Sequence, residues 1–291
     1  DAAIQVSEWF RKKGFRTCIL KGQGNALMYP NPYSRTPGDI DIWVEGGDKW
    51  VISFVRSISP HEKACYHHIE FPSYKGVEVE VHYRPSFLLC FWHNRKLQKY
   101  YERVKEEQFS HRVMLGEQGE IAIPTVEFNF IFQLTHIYAH LMNEGIGLRQ
   151  LLDYYYVLIS DDLLVISDDL LVIRDDLLLI RDRVQKELKE LGLWKFAGAI
   201  MYIMQEVFGM PASRLIVPPN EKYGKFVLNE VLEAGNFGKH DERNRFGRSK
   251  LGHNLQRVYR DIRLVRYFPA EALCEPLFRV WHFFWRLKHR R

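Results

Sequence analysis

Cysteine is scarce here and shows no pairing: Cys18, Cys65, Cys90 and Cys274 lie far apart, with no CxxC spacing. That excludes a disulfide scaffold and predicts a reducing, cytoplasmic setting. Long apolar runs are missing too. No stretch reaches the ~18–20 residues that a membrane-spanning helix needs, because paired aspartates interrupt the most leucine-rich segment. No basic-then-apolar leader opens the sequence, although it starts at Asp1 rather than Met, which leaves room for residues upstream. Excess charge of one sign is small: 41 Lys and Arg against 36 Asp and Glu give +5. What is plentiful is core material. The 291 residues are 46% hydrophobic and 14% aromatic, which excludes disorder and collagen-like repeats and suits one large or two small domains.

The hydrophobic pattern divides the chain near residue 124. Residues 3–13 read as an amphipathic helix ending at Gly14, and Thr17-Cys18-Ile19-Leu20 as a short buried strand. A turn, Lys21-Gly22-Gln23-Gly24, a short helical segment and a Pro-rich loop lead into a second strand, Asp39 to Val44. A helix over 48–58 and a hairpin with arms 67–71 and 77–83 follow. A helix over 97–108 and two short strands, 112–115 and 120–123, complete an α/β part. From Thr125, an N-cap candidate, the pattern is helical. The fold class expected is therefore α+β, with an α/β domain over 1–124 followed by an all-helical domain over 125–291. Within the latter, residues 160–182 repeat Asp-Asp-Leu-Leu-(Val/Leu)-Ile with a period of seven, which reads as a tandem expansion that lengthens a helix or helical hairpin, with a partner-binding zipper as the alternative, and carries no chemistry.

One constellation carries chemistry. In a strand, residues two apart face the same way, so Asp39 and Asp41 present two carboxylates side by side. Like charges that close raise each other's pKa unless a cation lies between them, and hard oxygen ligands suit Mg²⁺, with Mn²⁺ as an alternative. Val77-Glu78-Val79-Glu80-Val81-His82 alternates strictly, placing Glu78, Glu80 and His82 on one face opposite the valines. Two aspartates on one strand and a glutamate on its neighbour could hold metal ions that activate a hydroxyl and carry a triphosphate. The Gly22–Gly24 turn could aim backbone N–H groups at phosphate, with Lys21 and Arg35 as compensating charge.

These residues resemble the polymerase-β-like nucleotidyltransferase superfamily, in which a Gly-containing turn precedes a D-x-D strand and a third acid lies on a later strand. They are most similar to a poorly characterised bacterial nucleotidyltransferase family, through Leu20-Lys21-Gly22, Tyr29-Pro30, Arg35, Asp39-Ile40-Asp41, Glu80-Val81-His82, His136 with His140, Gly147-Leu148-Arg149 with Asp153, and Gly235 to Gly238. The resemblance implies Mg²⁺-dependent transfer of a nucleoside monophosphate from an NTP, with pyrophosphate release. It implies Asp39, Asp41 and Glu80 as catalytic and metal-binding residues. Lys21, Gly22, Gly24, Arg35 and Arg149 would bind the nucleotide, and the helical domain would close over it. The acceptor, whether protein, peptide, small molecule or RNA, is left open. Two departures stand out: Gln23 occupies the place of a frequent Gly or Ser, and the distance from Gly22 to Asp39 is longer than in many relatives. The acid-x-His pattern favours Glu80 over Glu78 as the third acid.

Plainer readings apply elsewhere. His136 and His140 lack the Glu of an HExxH motif and read as core or surface histidines, or as lining of a nucleotide cleft. His67 and His68 read as strand residues with no metal implied. Arg149 and Asp153, four apart, suit an intrahelical ion pair. The region from Lys239 to Arg266 is basic, with Asp241, Glu242 and Asp261 its only acids, which suits a polyanionic ligand or a solvated helix face. Two other functions fit the same sequence: a catalytically inactive nucleotide- or partner-binding relative, and an enzyme that adds nucleotides to RNA.

Overall fold

The computed structural model describes residues 2–36, 38–115, 119–160, 170–235, 241, 243 and 250–289. The chain forms two compact units, one of residues 1–87, 98–128 and 280–291, the other of 88–97 and 129–279. The class is α+β, with a sheet-containing part followed by a helical one.

The first unit is built on a four-stranded sheet of β1 (Thr17–Ile19), β2 (Ile40–Val44), β3 (His68–Tyr74) and β4 (Val77–His82), in the order β1-β2-β4-β3. Only β2 and β4 pair in parallel; β1/β2 and β3/β4 are antiparallel. One face of the sheet is apolar. Ile40, Ile42 and Val44 with Val79 and Val81 pack against α1 (Ala2–Lys12) and α3 (Gly47–Ile58), through Ile4, Phe10, Val51 and Val55. Trp9, Phe10, Phe15, Phe54 and Phe71 form an aromatic cluster on that side, with ring centroids 4.5–6.2 Å apart. On the opposite face Trp43 packs against Tyr101, Phe109 and Phe128.

The β3–β4 hairpin closes over Lys75 and Gly76, which both have positive φ (52° and 79°), the turn that matches the twist of its strands. β3 runs three residues past the expected arm, with an irregular register between Phe71 and Tyr74. Pro72 cannot donate a ladder hydrogen bond, and the edge position of β3 tolerates that. A separate two-stranded ribbon pairs β5 (Arg112–Met114) with β6 (Glu120–Ala122). A short α2 (Gln23–Ala26) follows β1. Gly24 within it lies so close to the chain that a Cβ would come 3.2 Å from Ile123 and 3.4 Å from the Ile19 carbonyl.

α4 (Phe91–Ser110) starts six residues earlier than the hydrophobic pattern indicates. Just ahead of these extra turns, the Leu89 and Cys90 N–H groups donate to Glu271, far away in sequence. In the second unit, α5 (Val126–Asn143) is followed by α6 (Leu148–Ile159), α7 (Leu170–Glu190), α8 (Trp194–Glu206), α9 (Glu221–Ala234), α10 (Lys250–Val265) and α11 (Pro269–Lys288). Thr125 caps α5 by accepting from the Phe128 N–H at 3.3 Å, and Gln150 accepts from Gly147 N–H ahead of α6. Tyr138 and Phe196 stack at 4.2 Å, with Phe268 edge-on to both. α8 is buried along most of its length, and Gly224 of α9 gives space to Tyr202: a Cβ there would sit 2.3 Å from its ring. The heptad-like repeat lies partly outside the described residues, its final portion falling in α7. Of the Gly235–Gly238 motif only Gly235 is described, as the positive-φ cap of α9. The far end of α11 belongs to the first unit, where Trp281 packs edge-on against Tyr66 at 5.3 Å.

Candidate active site

Sheet pairing, rather than chain proximity, assembles the site. Asp41 on β2 lies directly opposite Glu80 on parallel β4, and His82 lies opposite His68 on β3. Asp39 lies one residue ahead of β2, outside the ladder, because pairing with β4 ends at Ile40 and Val79. The alternation that buries Ile40, Ile42, Val79 and Val81 on one face puts Asp41, Glu80 and His82 together on the other. Carboxylate oxygens of Asp39, Asp41 and Glu80 all lie within 4.8 Å of one another.

Two cations hold this cluster. Lys21 Nζ is 2.8 Å from Asp41 Oδ1, and His82 Nε2 is 3.0 Å from the same oxygen and 3.4 Å from Glu80 Oε2. Asp41 and His82 are each only 2% exposed. Burial alone would raise the Asp41 pKa, yet Lys21 and His82 hold it far below the usual carboxylate range. Burial likewise opposes charge on His82, but its bonds to Asp41 and Glu80 push it up to about 9. Lys21 is raised despite burial, because Asp41, Asp39 and Glu80 surround it. Glu80 is lowered, its burial outweighed by His82 and His68. Asp39 goes the other way: burial and the neighbouring Asp41 charge raise it. The site thus has three acids near one point and compensates them with a lysine and an imidazolium.

Lys21 ends the loop after β1, where Leu20 N–H donates to the Asp41 carbonyl at 2.9 Å and locks the loop beside β2. Gly22 follows with φ 57°, a conformation that favours glycine, and a Cβ there would stand 3.4 Å from the Asp39 carbonyl. Between Gly22 and Gly24, Gln23 Oε1 is buried without a hydrogen-bond partner among the described residues. Arg35 follows the 3₁₀ turn Pro32–Ser34 and is half-buried. Arg149 lies in the first turn of α6, in the second unit; the acidic cluster is built wholly within the first. Glu78 is exposed, on the same strand as Glu80. His136 and His140 lie on α5 with ring centroids 4.4 Å apart, and His140 is 3.9 Å from Glu144.

His68 is the residue that pattern reading passed over. Its Nδ1 is 3.3 Å from Glu80 Oε2, and burial beside charged His82 lowers its pKa to about 4. A single strand's alternation does not reveal this; the signal is the register that sets His68 opposite His82.

The donor set fits a divalent cation. Three carboxylates at one point are hard oxygen ligands, and the two that are partly exposed, Asp39 and Glu80, leave the cluster open to an ion. A family model described as uncharacterised nucleotidyltransferase matches residues 1–209. The chain belongs to this nucleotidyltransferase family. Membership supports nucleotidyl transfer as its general activity. Curated proteins give no match. Among solved structures, an antigenic nucleotidyltransferase-like protein from Paracoccidioides brasiliensis is similar at 14% identity, over 65% of this chain and 90% of that one, with a TM-score of 0.32. Among the described residues no helix is long and apolar enough to cross a membrane.

Proposed function

We propose that this nucleotidyltransferase moves a nucleoside monophosphate from an NTP to an acceptor hydroxyl, with Mg²⁺ (or Mn²⁺) held by Asp39, Asp41 and Glu80. The acceptor oxygen bonds to the α-phosphorus, the bond between that phosphorus and the oxygen bridging to the β-phosphate breaks, and pyrophosphate leaves with the electron pair. The observation that carries this reading is the Asp41–Glu80 register, which brings two strands' acids and Asp39 within 4.8 Å of one another. The bound metal supplies charge neutralisation at the phosphates and lowers the pKa of an oxygen it touches.

The chain's own residues do the rest. Lys21 and His82 fix the Asp41 carboxylate and keep it ionised, so a ligand oxygen is present at neutral pH. Glu80 is kept ionised beside His82 and takes up the acceptor hydroxyl proton. Lys21, Gly22, Gly24 and Arg35 position the triphosphate, with Arg149 as a further nucleotide-binding residue; Gly22 lies directly beside the Asp39 carbonyl.

The test couples nucleotide to metal. Thermal stabilisation by each NTP should require Mg²⁺ and should vanish in Asp39→Ala, because a site of this kind binds triphosphate through the ion. Stabilisation that is independent of Mg²⁺, or that survives Asp39→Ala, would favour a binding module without nucleotidyl chemistry.

A further inference from the structure

A second cluster of metal-ligating side chains lies in the helical unit. Cys90 immediately precedes α4 and His93 lies in its first turn, while Glu271 and Cys274 are three apart in the first turns of α11, where residues three apart share a face. Each segment thus offers a pair of ligands. The two pairs meet. One ligand atom each from Cys90, His93 and Glu271 lie within 4.8 Å of one another, His93 Nδ1 being 3.4 Å from Glu271 Oε1. The Cys274 thiol is in hydrogen-bonding reach of the Cys90 thiol. Cys90 and Glu271 are buried, at 1% and 2% exposure.

We propose that Cys90, His93, Glu271 and Cys274 form a structural zinc site. Two sulfurs, one imidazole and one carboxylate make a closed four-ligand set of the kind zinc takes, and adjacent ligand atoms of such a tetrahedron lie ~3.3–3.8 Å apart. Backbone N–H groups already point at two of these ligands. Leu89 and Cys90 N–H donate to Glu271 Oε2 at 2.6 and 3.2 Å, and Phe91 N–H donates to the Cys274 sulfur. The positive end of the 20-residue α4 thus faces a carboxylate and a thiol. Binding of a divalent cation by the two cysteines would release both thiol protons. Gly192 completes the fit. With φ 72° it lies against the His93 ring, where a Cβ would be 2.5 Å from Cε1, so the ring packs in a space that a side chain would fill. A helix cap requires only Glu271, and a disulfide requires only the two cysteines. Zinc accounts for all four residues and ties α4 to α11, 181 residues apart from Cys90 to Glu271.

The test uses the full chain, purified without added chelator and dialysed, with zinc measured by mass spectrometry of the metal. One zinc per chain is expected, retained in Asp39→Asn/Asp41→Asn and in Cys65→Ser, so failure of the acidic centre and failure of this site are separable. Cys274→Ser and His93→Ala should each bind zinc at least ~10-fold more weakly. Should those variants misfold, cobalt added to the unmodified apo-protein should give tetrahedral visible bands with a thiolate charge-transfer band. His93→Cys should keep the metal and strengthen that band. Absence of stoichiometric zinc together with absence of the cobalt bands would overturn the proposal. So would a Cys90–Cys274 disulfide in the protein as isolated, or zinc binding unchanged in folded Cys274→Ser and His93→Ala.

Discussion

The Lys21–Asp41 pair sets a measurable energy. Asp41 is 2% exposed, and its Oδ1 receives Lys21 Nζ at 2.8 Å and His82 Nε2 at 3.0 Å. Lys21→Met keeps the aliphatic stem and removes one of these two cations. Breaking a buried ion pair by deleting one partner costs ~3–5 kcal/mol when nothing else compensates the charge left behind. Here His82 remains, and the Lys21 side chain keeps 19% exposure, so the loss belongs below that range, at about 2 kcal/mol. Denaturant unfolding followed by tryptophan fluorescence reads it as a fall in midpoint at unchanged slope. The cleaner quantity is the coupling from a double-mutant cycle with Asp41→Asn, which cancels the stem's packing. A coupling of about 2 kcal/mol is expected from the buried geometry. A coupling below ~0.5 kcal/mol, the level of an exposed pair, would refute the claim that Lys21 compensates a buried Asp41.

Three further outcomes follow from other elements. Glu80→Gln should cost at least ~10²-fold in turnover, the scale of losing one electrostatic element of a catalytic centre, whereas exposed Glu78→Gln should leave steady-state rates near those of the unaltered chain. Gly224→Ala should lower the melting temperature, because overpacking against Tyr202 costs ~1–3 kcal/mol and exceeds the ~1 kcal/mol gained in helix propensity; adding Tyr202→Ala should relieve it. Asp261 on α10, buried and facing Glu275, with Arg260 and Arg279 nearby, has its pKa raised to about 7. The folded state then keeps a proton that the unfolded chain releases near pH 4, so unfolding free energy should fall between about pH 4 and pH 7 and flatten above. Asp261→Asn should remove that slope in a pH series of denaturation midpoints, and an unchanged slope would contradict the assignment.

Much of the first unit was legible because its strands obey the two-residue period. Ile40-Asp41-Ile42 and Val79-Glu80-Val81 announce one apolar and one acidic face without any fold. Legibility ended where tertiary pairing decides. The sequence contains nothing local that sets Asp41 against Glu80 or His68 against His82; both follow from strand order and register. For the same reason α4 begins six residues ahead of its hydrophobic pattern, next to amides that donate to Glu271, far off in sequence. The Cys90/His93 and Glu271/Cys274 pairs were invisible to a search for CxxC, because each half supplies only one sulfur. His82 was readable as part of an acid-x-His strand, but its place as the cation between two carboxylates needed distances.

The central claim is nucleotidyl chemistry at the Asp39–Asp41–Glu80 cluster, and the most direct measurement is transfer of label from each α-³²P-NTP with Mg²⁺. Protein, peptide, small-metabolite and RNA pools would be supplied as acceptors, with the unaltered chain and Asp39→Asn/Asp41→Asn compared side by side. The account expects covalent label on one acceptor class, pyrophosphate in equal amount, and loss of both in the double variant. Label transfer at the unaltered rate in a folded Asp39→Asn/Asp41→Asn protein would contradict it.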